Sequence, residues 1–176
     1  RIPHDHNRDY DVCLYPETRA IQTLVQSWSD GKLVLALDIH CPYIRGTYNE
    51  WLYQVYTENA TNARAQALFG KLLEQAQRGG MNYRQANDLP FGQSWNISRN
   101  YSAGASCKYW LLKAVPSIRL CTTYEVPFAT ANGMTVTRES CRTFGEDTVL
   151  AFRRFIETPS DDLSFRPADG YGWNST

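Results

Sequence analysis

The sequence predicts an α/β fold, with a mixed, mostly parallel twisted sheet flanked by helices. Three observations predict it. Helical and extended patterns alternate in the order helix, strand, helix, strand, helix. The extended stretch 32–39 is apolar on both faces, with Leu33, Leu35, Leu37 and Ile39 pointing one way and Val34 and Ala36 the other, as a central strand covered by helices on each side would be. The two extended stretches lead to residues with acid–base chemistry, His40 and Glu125, and sites in open α/β sheets gather beyond the carboxyl ends of strands.

Each element has a local reason. Residues 1–15 are irregular and polar-aromatic. Pro16 with Glu17 then marks a helix start. Ile21, Leu24, Val25 and Trp28 follow at helical spacing until Asp30-Gly31 closes the helix. The strand 32–39 comes next, then a tyrosine-rich loop over 41–60. A second helix is expected over 61–78, with Ala65, Leu68, Phe69, Leu72, Leu73 and Ala76 on one side and Gly79-Gly80 as its stop. Residues 81–104 form a long polar-aromatic loop of the kind that often carries function. Ser106–Ala114 reads as a short helix ended by Pro116, residues 118–126 as a strand cut by Pro127, and 138–157 as a last helix with Cys141, Phe144, Val149, Phe152, Phe155 and Ile156 facing inward.

Composition bounds the function classes. Hydrophobic residues make up 43% of 176, enough for one domain with a core. Eighteen basic side chains balance eighteen acidic ones, so net charge gives no support for nucleic acid as a partner. No apolar run approaches the roughly 20 residues of a membrane helix. Cys13, Cys41, Cys107, Cys121 and Cys141 are odd in number and dispersed, which is neither a disulfide framework nor a thiolate zinc site. Cys121 and Cys141 lie in apolar patterns and are expected to be small buried side chains.

His40 is a candidate metal ligand or proton carrier, against the plainer role of capping its strand. Glu125 sits in an otherwise apolar strand, where burial would raise its pKa and suit it to general base work. Pairing with Arg119 would be the alternative, but six residues of strand span roughly 20 Å. The opening stretch RIPHDHNRDYD is dense in polar groups. His6 and Asp9 have an H-x-x-D spacing that could share a helical face and a metal. Arg8 beside Asn7 could instead fork onto a carboxylate, and a solvated polar leader is the plain reading. Tyr101 lies in a loop followed by small residues, NYSAGAS.

The order of these motifs resembles the zinc metallocarboxypeptidases of the carboxypeptidase A type, from Asp5 to about Ile156. DHNRDY resembles that family's D-x-N-R-[DN]-[FWY] motif, LALDIH its strand with the third zinc ligand, and CTTYEV its strand with the catalytic glutamate. The resemblance implies that His40 ligates Zn2+ and that Glu125 takes a proton from zinc-bound water. It implies that Asn7 and Arg8 grip the free carboxylate of a peptide's last residue, and that Asp5 orients another zinc histidine through its ring N–H. Tyr101 would close over substrate, and Arg1 would stabilise the developing oxyanion. Ser106, Cys107 and Lys108 fall where the family lines its side-chain pocket; Lys108 could favour an acidic terminal residue or point to solvent. Bound zinc brings a water's pKa to about 7 and polarises a carbonyl.

The family's first two zinc ligands come from an upstream H-x-x-E, which this chain lacks. The expectation is therefore an incomplete domain. Residues 1–158 would be the carboxyl-terminal portion of a catalytic domain, with 159–176 a loose tail. The amino-terminal part of the same protein would complete it, and as given the chain would be inactive. Two other functions stay open: an amidase or deacylase of the same fold, and a non-catalytic relative that binds peptide termini. An incomplete sheet would expose edges and apolar surface.

Overall fold

The structure is a computed structural model and describes residues 4–159. Arg1 and the tail beyond Pro159 lie outside the described residues. The fold is mixed α/β, and its main elements run α1 (Pro16–Ser29), β1 (Leu35–His40), β2 (Tyr53–Val55), α2 (Ala60–Ala76), α3 (Cys107–Ala114), β3 (Leu120–Glu125), β4 (Thr130–Ala131), β5 (Met134–Thr135) and α4 (Arg138–Glu157).

The helices start and stop for identifiable reasons. Pro16 occupies the first turn of α1, and Asp30 in the left-handed region (φ 43) ends it. Asn59 caps α2 by accepting from the Asn62 amide at 2.9 Å. Thr137 and Ser140 close a reciprocal capping box at the start of α4.

The main sheet has the order β1-β3-β2, with β1 parallel and β2 antiparallel to β3. The sheet is thus small and mixed, and the expected mostly parallel sheet does not describe it. The central strand is β3, whose six residues are all buried; β1 lies at an edge of the described sheet and is only partly covered. The pattern reading erred because β1 does carry helices on both faces. Leu35 and Leu37 pack toward the α2–α4 side, while Ala36 packs toward α3. Two-faced apolarity reports layers above and below, not neighbours to either side.

On one face, α2 and α4 build a core from Phe69, Leu73, Tyr83, Leu120, Tyr124, Phe144 and Phe155. On the other, Trp110, Leu111 and Val115 pack with Cys121 and Tyr10. Phe155 is fully buried, 6.3 Å from the Phe69 ring and 5.4 Å beneath the Arg119 guanidinium. Phe155→Ala is expected to cost about 3–5 kcal/mol, read from urea unfolding.

Three inward assignments on α4 are corrected: Cys141 is exposed, as are Val149 and Ile156. Buried positions go instead to Asp147, Thr148 and Ala151, because α2 ends beside them and Arg78 pairs with Asp147 at 2.8 Å. The apolar stripe of α1 is likewise turned out. Leu24 is 63% and Trp28 68% exposed, and Val25 alone of the four predicted residues joins the core.

Candidate functional site

The opening segment is shaped by two carboxylates. Asp5 accepts from the Asn7 amide at 3.0 Å and caps a short turn, His6–Arg8. Asp9 is buried and accepts from the amides of Leu14 and Tyr15 and from the Thr18 hydroxyl. Burial alone would raise its pKa; the Thr18, Tyr15 and Leu14 donors and nearby His4 outweigh that and hold it at about 2. Asp9 is therefore a brace for the start of α1. His6 turns away to stack on Tyr15, ring centroids 3.8 Å apart. The H-x-x-D metal alternative is corrected accordingly: the Asp9 carboxylate is already taken up by donors at the start of α1.

The braced turn delivers Asn7 and Arg8. Asn7 Oδ1 accepts from the Cys107 amide at 3.0 Å, at the start of α3, and its Nδ2 lies 3.1 Å from His40 Nε2. His40 and Glu125 are register partners at the carboxyl ends of the parallel pair β1 and β3. Alternation puts Asp38 and His40 on one face of β1, as it puts Thr123 and Glu125 on one face of β3, and Asp38 Oδ1 lies 3.1 Å from His40 Nε2. Asn7 and Asp38 thus compete for one ring nitrogen: the amide suits a proton on Nδ1, the carboxylate a proton on Nε2. The Asp38 hydrogen bond raises the His40 pKa, with burial opposing.

Glu125 is buried and its Oε2 has no hydrogen-bond partner among the described residues; Asp38 Oδ2 is in the same position. Desolvation raises the Glu125 pKa against the attraction of His40 and Lys108. Two orphaned carboxylate oxygens beside an imidazole are costly for stability, and such groups call for a functional reason.

The Arg8 guanidinium lies 5.3 Å over the Tyr101 ring, with Nη1 donating to the Asn7 carbonyl at 2.7 Å. Tyr101 is placed by its hydroxyl, which donates to Asn96 Oδ1 at 2.6 Å. Asn96 is fully buried and ties the 81–104 loop to Tyr56 and Leu89 carbonyls. Gly104 (φ +136) lets the same loop run against the Arg8 backbone.

Three comparisons of this chain, with models of protein families, with curated proteins and with solved structures, return no match.

Among the described residues no three His, Cys, Asp or Glu side chains are placed to hold a metal ion. His40 is the single imidazole of the cluster, since His4 and His6 lie on the far side of the turn against Tyr15. Catalytic zinc takes several protein ligands, so the described residues do not make a zinc site by themselves. None of the described hydrogen bonds involves His40 Nδ1, the nitrogen left for any ligand.

The structure therefore brings Asn7, His40 and Glu125 together, with Arg8 and Tyr101 alongside; Asp5 shapes the turn that carries Asn7; Arg1 lies outside the described residues. Arg119 donates to the Thr158 carbonyl at the end of α4 and does not pair with Glu125. Sequence reasoning missed Asp38, although its place two residues before His40 in a strand was a usable signal. It also missed Asn96, for which no local signal exists. No helix among the described residues is long and apolar enough to cross a membrane.

Proposed function

We propose that this protein is a hydrolase of the zinc metallocarboxypeptidase type, acting at the C-terminal peptide bond of a peptide or protein. The observation that carries the reading is the register of His40 with Glu125 at the ends of adjacent parallel strands, with the Asn7 amide against the His40 ring. Remote segments thus converge in the order the motif resemblance requires.

In this reading Asn7 and Arg8 hold the terminal carboxylate. Arginine suits that task because its planar fork offers paired donors in fixed geometry. Glu125 takes the proton of the attacking water, and its raised pKa improves the match between base and neutral solution. Tyr101 closes one side of the bound residue. Zinc would be held by His40 together with ligands that the described residues do not supply, and when bound it would polarise the scissile carbonyl. The free edge of β1 is compatible with further chain beside His40.

The single imidazole among the described site residues favours a second reading, a relative that binds peptide termini without cleaving them. Asn7 and Arg8 speak for a terminal carboxylate in both, and against an amidase acting on substrates that lack one.

The test starts with recognition. A short peptide with a free C-terminal carboxylate is expected to bind about tenfold tighter than its C-terminal amide, and Arg8→Gln is expected to remove that difference. Equal binding of acid and amide would refute both readings. Release of the last residue by a zinc-supplied preparation of the protein, stopped by a chelator, supports the hydrolase; binding without release supports the second reading.

A further inference from the structure

Asn132 and Gly133 make the turn between β4 and β5, with φ 50 and φ 85. Two successive residues of positive φ suit a tight hairpin, and Asn-Gly supplies them at low steric cost. The same pair is chemically reactive. Joining the Gly133 nitrogen to the Asn132 side-chain carbon closes a succinimide ring, and glycine has no Cβ to shield that nitrogen. Gly133 is exposed, nothing lies within 4 Å of a Cβ built on it, and its amide makes no hydrogen bond among the described residues.

The Asn132 side chain, by contrast, is engaged at both ends. Its Nδ2 donates to the Asn82 carbonyl at 2.8 Å, and its Oδ1 accepts from Asn87 Nδ2 at 2.8 Å. A main-chain carbonyl can face only the NH2 end of a carboxamide, so the partners fix which end is which. The Asn132 amide donates to the Glu50 carbonyl at 2.7 Å, and Asn82 Nδ2 reaches back to the Asn132 carbonyl at 3.4 Å. One residue thereby clasps the hairpin to the start of the 81–104 loop and to the segment before β2.

We propose that Asn132 is a site of spontaneous deamidation, restrained in the folded chain by this clasp, and that its conversion to aspartate releases the start of the 81–104 loop. The proposal is independent of the hydrolase reading. The Gly133 nitrogen attacks Asn132 Cγ; the N–Cγ bond forms, the Cγ–Nδ2 bond breaks, and Nδ2 leaves as ammonia with the proton of the Gly133 amide. Water then opens the ring at Cγ to give aspartate, or at the main-chain carbonyl to give isoaspartate. Ring closure requires the carboxamide to swing toward Gly133, which breaks its bonds to Asn82 and Asn87. In the product an anionic oxygen stands where Nδ2 stood, acceptor facing acceptor at the Asn82 carbonyl. The tie becomes a repulsion, and the loss of ammonia to solvent makes the change one-way.

The experiment follows, by peptide mass mapping, the amide-to-acid mass gain at residue 132 in the intact chain at neutral pH, folded and in urea. Conversion is expected to be about tenfold or more slower in the folded chain, since one net hydrogen bond corresponds to about tenfold in rate. Gly133→Ala is expected to slow conversion in urea, where no clasp exists. Asn87→Ala leaves the reacting pair intact and removes one tie, and should raise the folded-chain rate about tenfold. Asn132→Asp reproduces the product and is expected to show a lower urea midpoint and faster proteolytic cleavage within 81–104. Equal folded and unfolded rates, or an unchanged folded rate in Asn87→Ala, overturn the clasp. Asn132→Asp with the midpoint and protease resistance of the original chain overturns the release, and absence of conversion at residue 132 in urea overturns the site itself.

Discussion

Glu125→Gln is expected to melt at a higher temperature than the parent at neutral pH and, under the proposed hydrolase reading, to lose catalysis. The carboxylate is buried, one oxygen is without a partner among the described residues, and desolvation outweighs the attraction of His40 and Lys108, so its pKa is raised. The sign follows from linkage. A carboxyl group whose folded pKa lies above its unfolded value of 4.5 binds its proton more tightly in the native state. Its favourable contribution is complete below pH 4.5 and is lost as pH rises through the folded value. Glutamine keeps the shape and never ionises. The gap in stability between variant and parent should thus be small at pH 4 and open toward pH 8, reaching about 1 kcal/mol. Urea titrations across that range would show it. A gap independent of pH, or a variant less stable throughout, would mean that Glu125 is well solvated and unfit as a base. In a zinc-supplied preparation that cleaves peptides, the same change should lower kcat by about 10²–10⁴-fold with little change in peptide binding. Retained hydrolysis would exclude Glu125 as the base.

Gly104→Ala is expected to be the most damaging single-methyl change near the site. A Cβ at that position would lie 2.1 Å from the Arg8 carbonyl oxygen, and φ there is +136. Both colliding parts are backbone, so no side chain can swing aside. Either the 81–104 loop retreats from the opening segment or Arg8 does, and in both cases guanidinium and Tyr101 ring lose their stacked placement. The expected cost is on the order of 2–4 kcal/mol, with loss of the tenfold preference for a free peptide carboxylate. Gly133→Ala is the matched control. Its φ is +85, but nothing lies within 4 Å of the added methyl, so it carries backbone strain without collision and should cost about 1 kcal/mol. Equal urea midpoints for the two variants would show that the loop is not held against Arg8.

Legibility in the sequence was uneven. The helix over 138–157 appears with those bounds, because Phe144, Phe152 and Phe155 at helical spacing leave little choice of element. Which of its residues face inward was read less well. Residue type suggested Cys141, Val149 and Ile156, yet the partner helix covers a narrower strip that takes Asp147 and Thr148. β2 was invisible: Tyr53, Gln54 and Val55 sit in a tyrosine-rich stretch, and Gln54 is buried by partners remote in the chain. Its side chain donates to the Tyr83 hydroxyl and Asp88 carboxylate, under the space left by Gly70. The β4–β5 hairpin had a signal, Asn132-Gly133 with φ 50 and 85, but strands of two residues show no alternation to read.

For the site, residue chemistry and strand alternation pointed to His40 and Glu125; Asn7 and Arg8 were one of three readings of the opening segment, and the motif resemblance alone favoured them. For the first two the signal is local: alternation aims a side chain, and a polar group in an apolar run is conspicuous wherever it falls. Strand order, and with it the exposed edge of β1, was not local. Nor was the brace that Asp9 provides, the placing of Tyr101 through Asn96, or the burial of Lys108 beneath the terminus of β2. Each depends on which atoms of distant segments fill the remaining space, and a one-dimensional pattern carries no term for a neighbour that has yet to arrive.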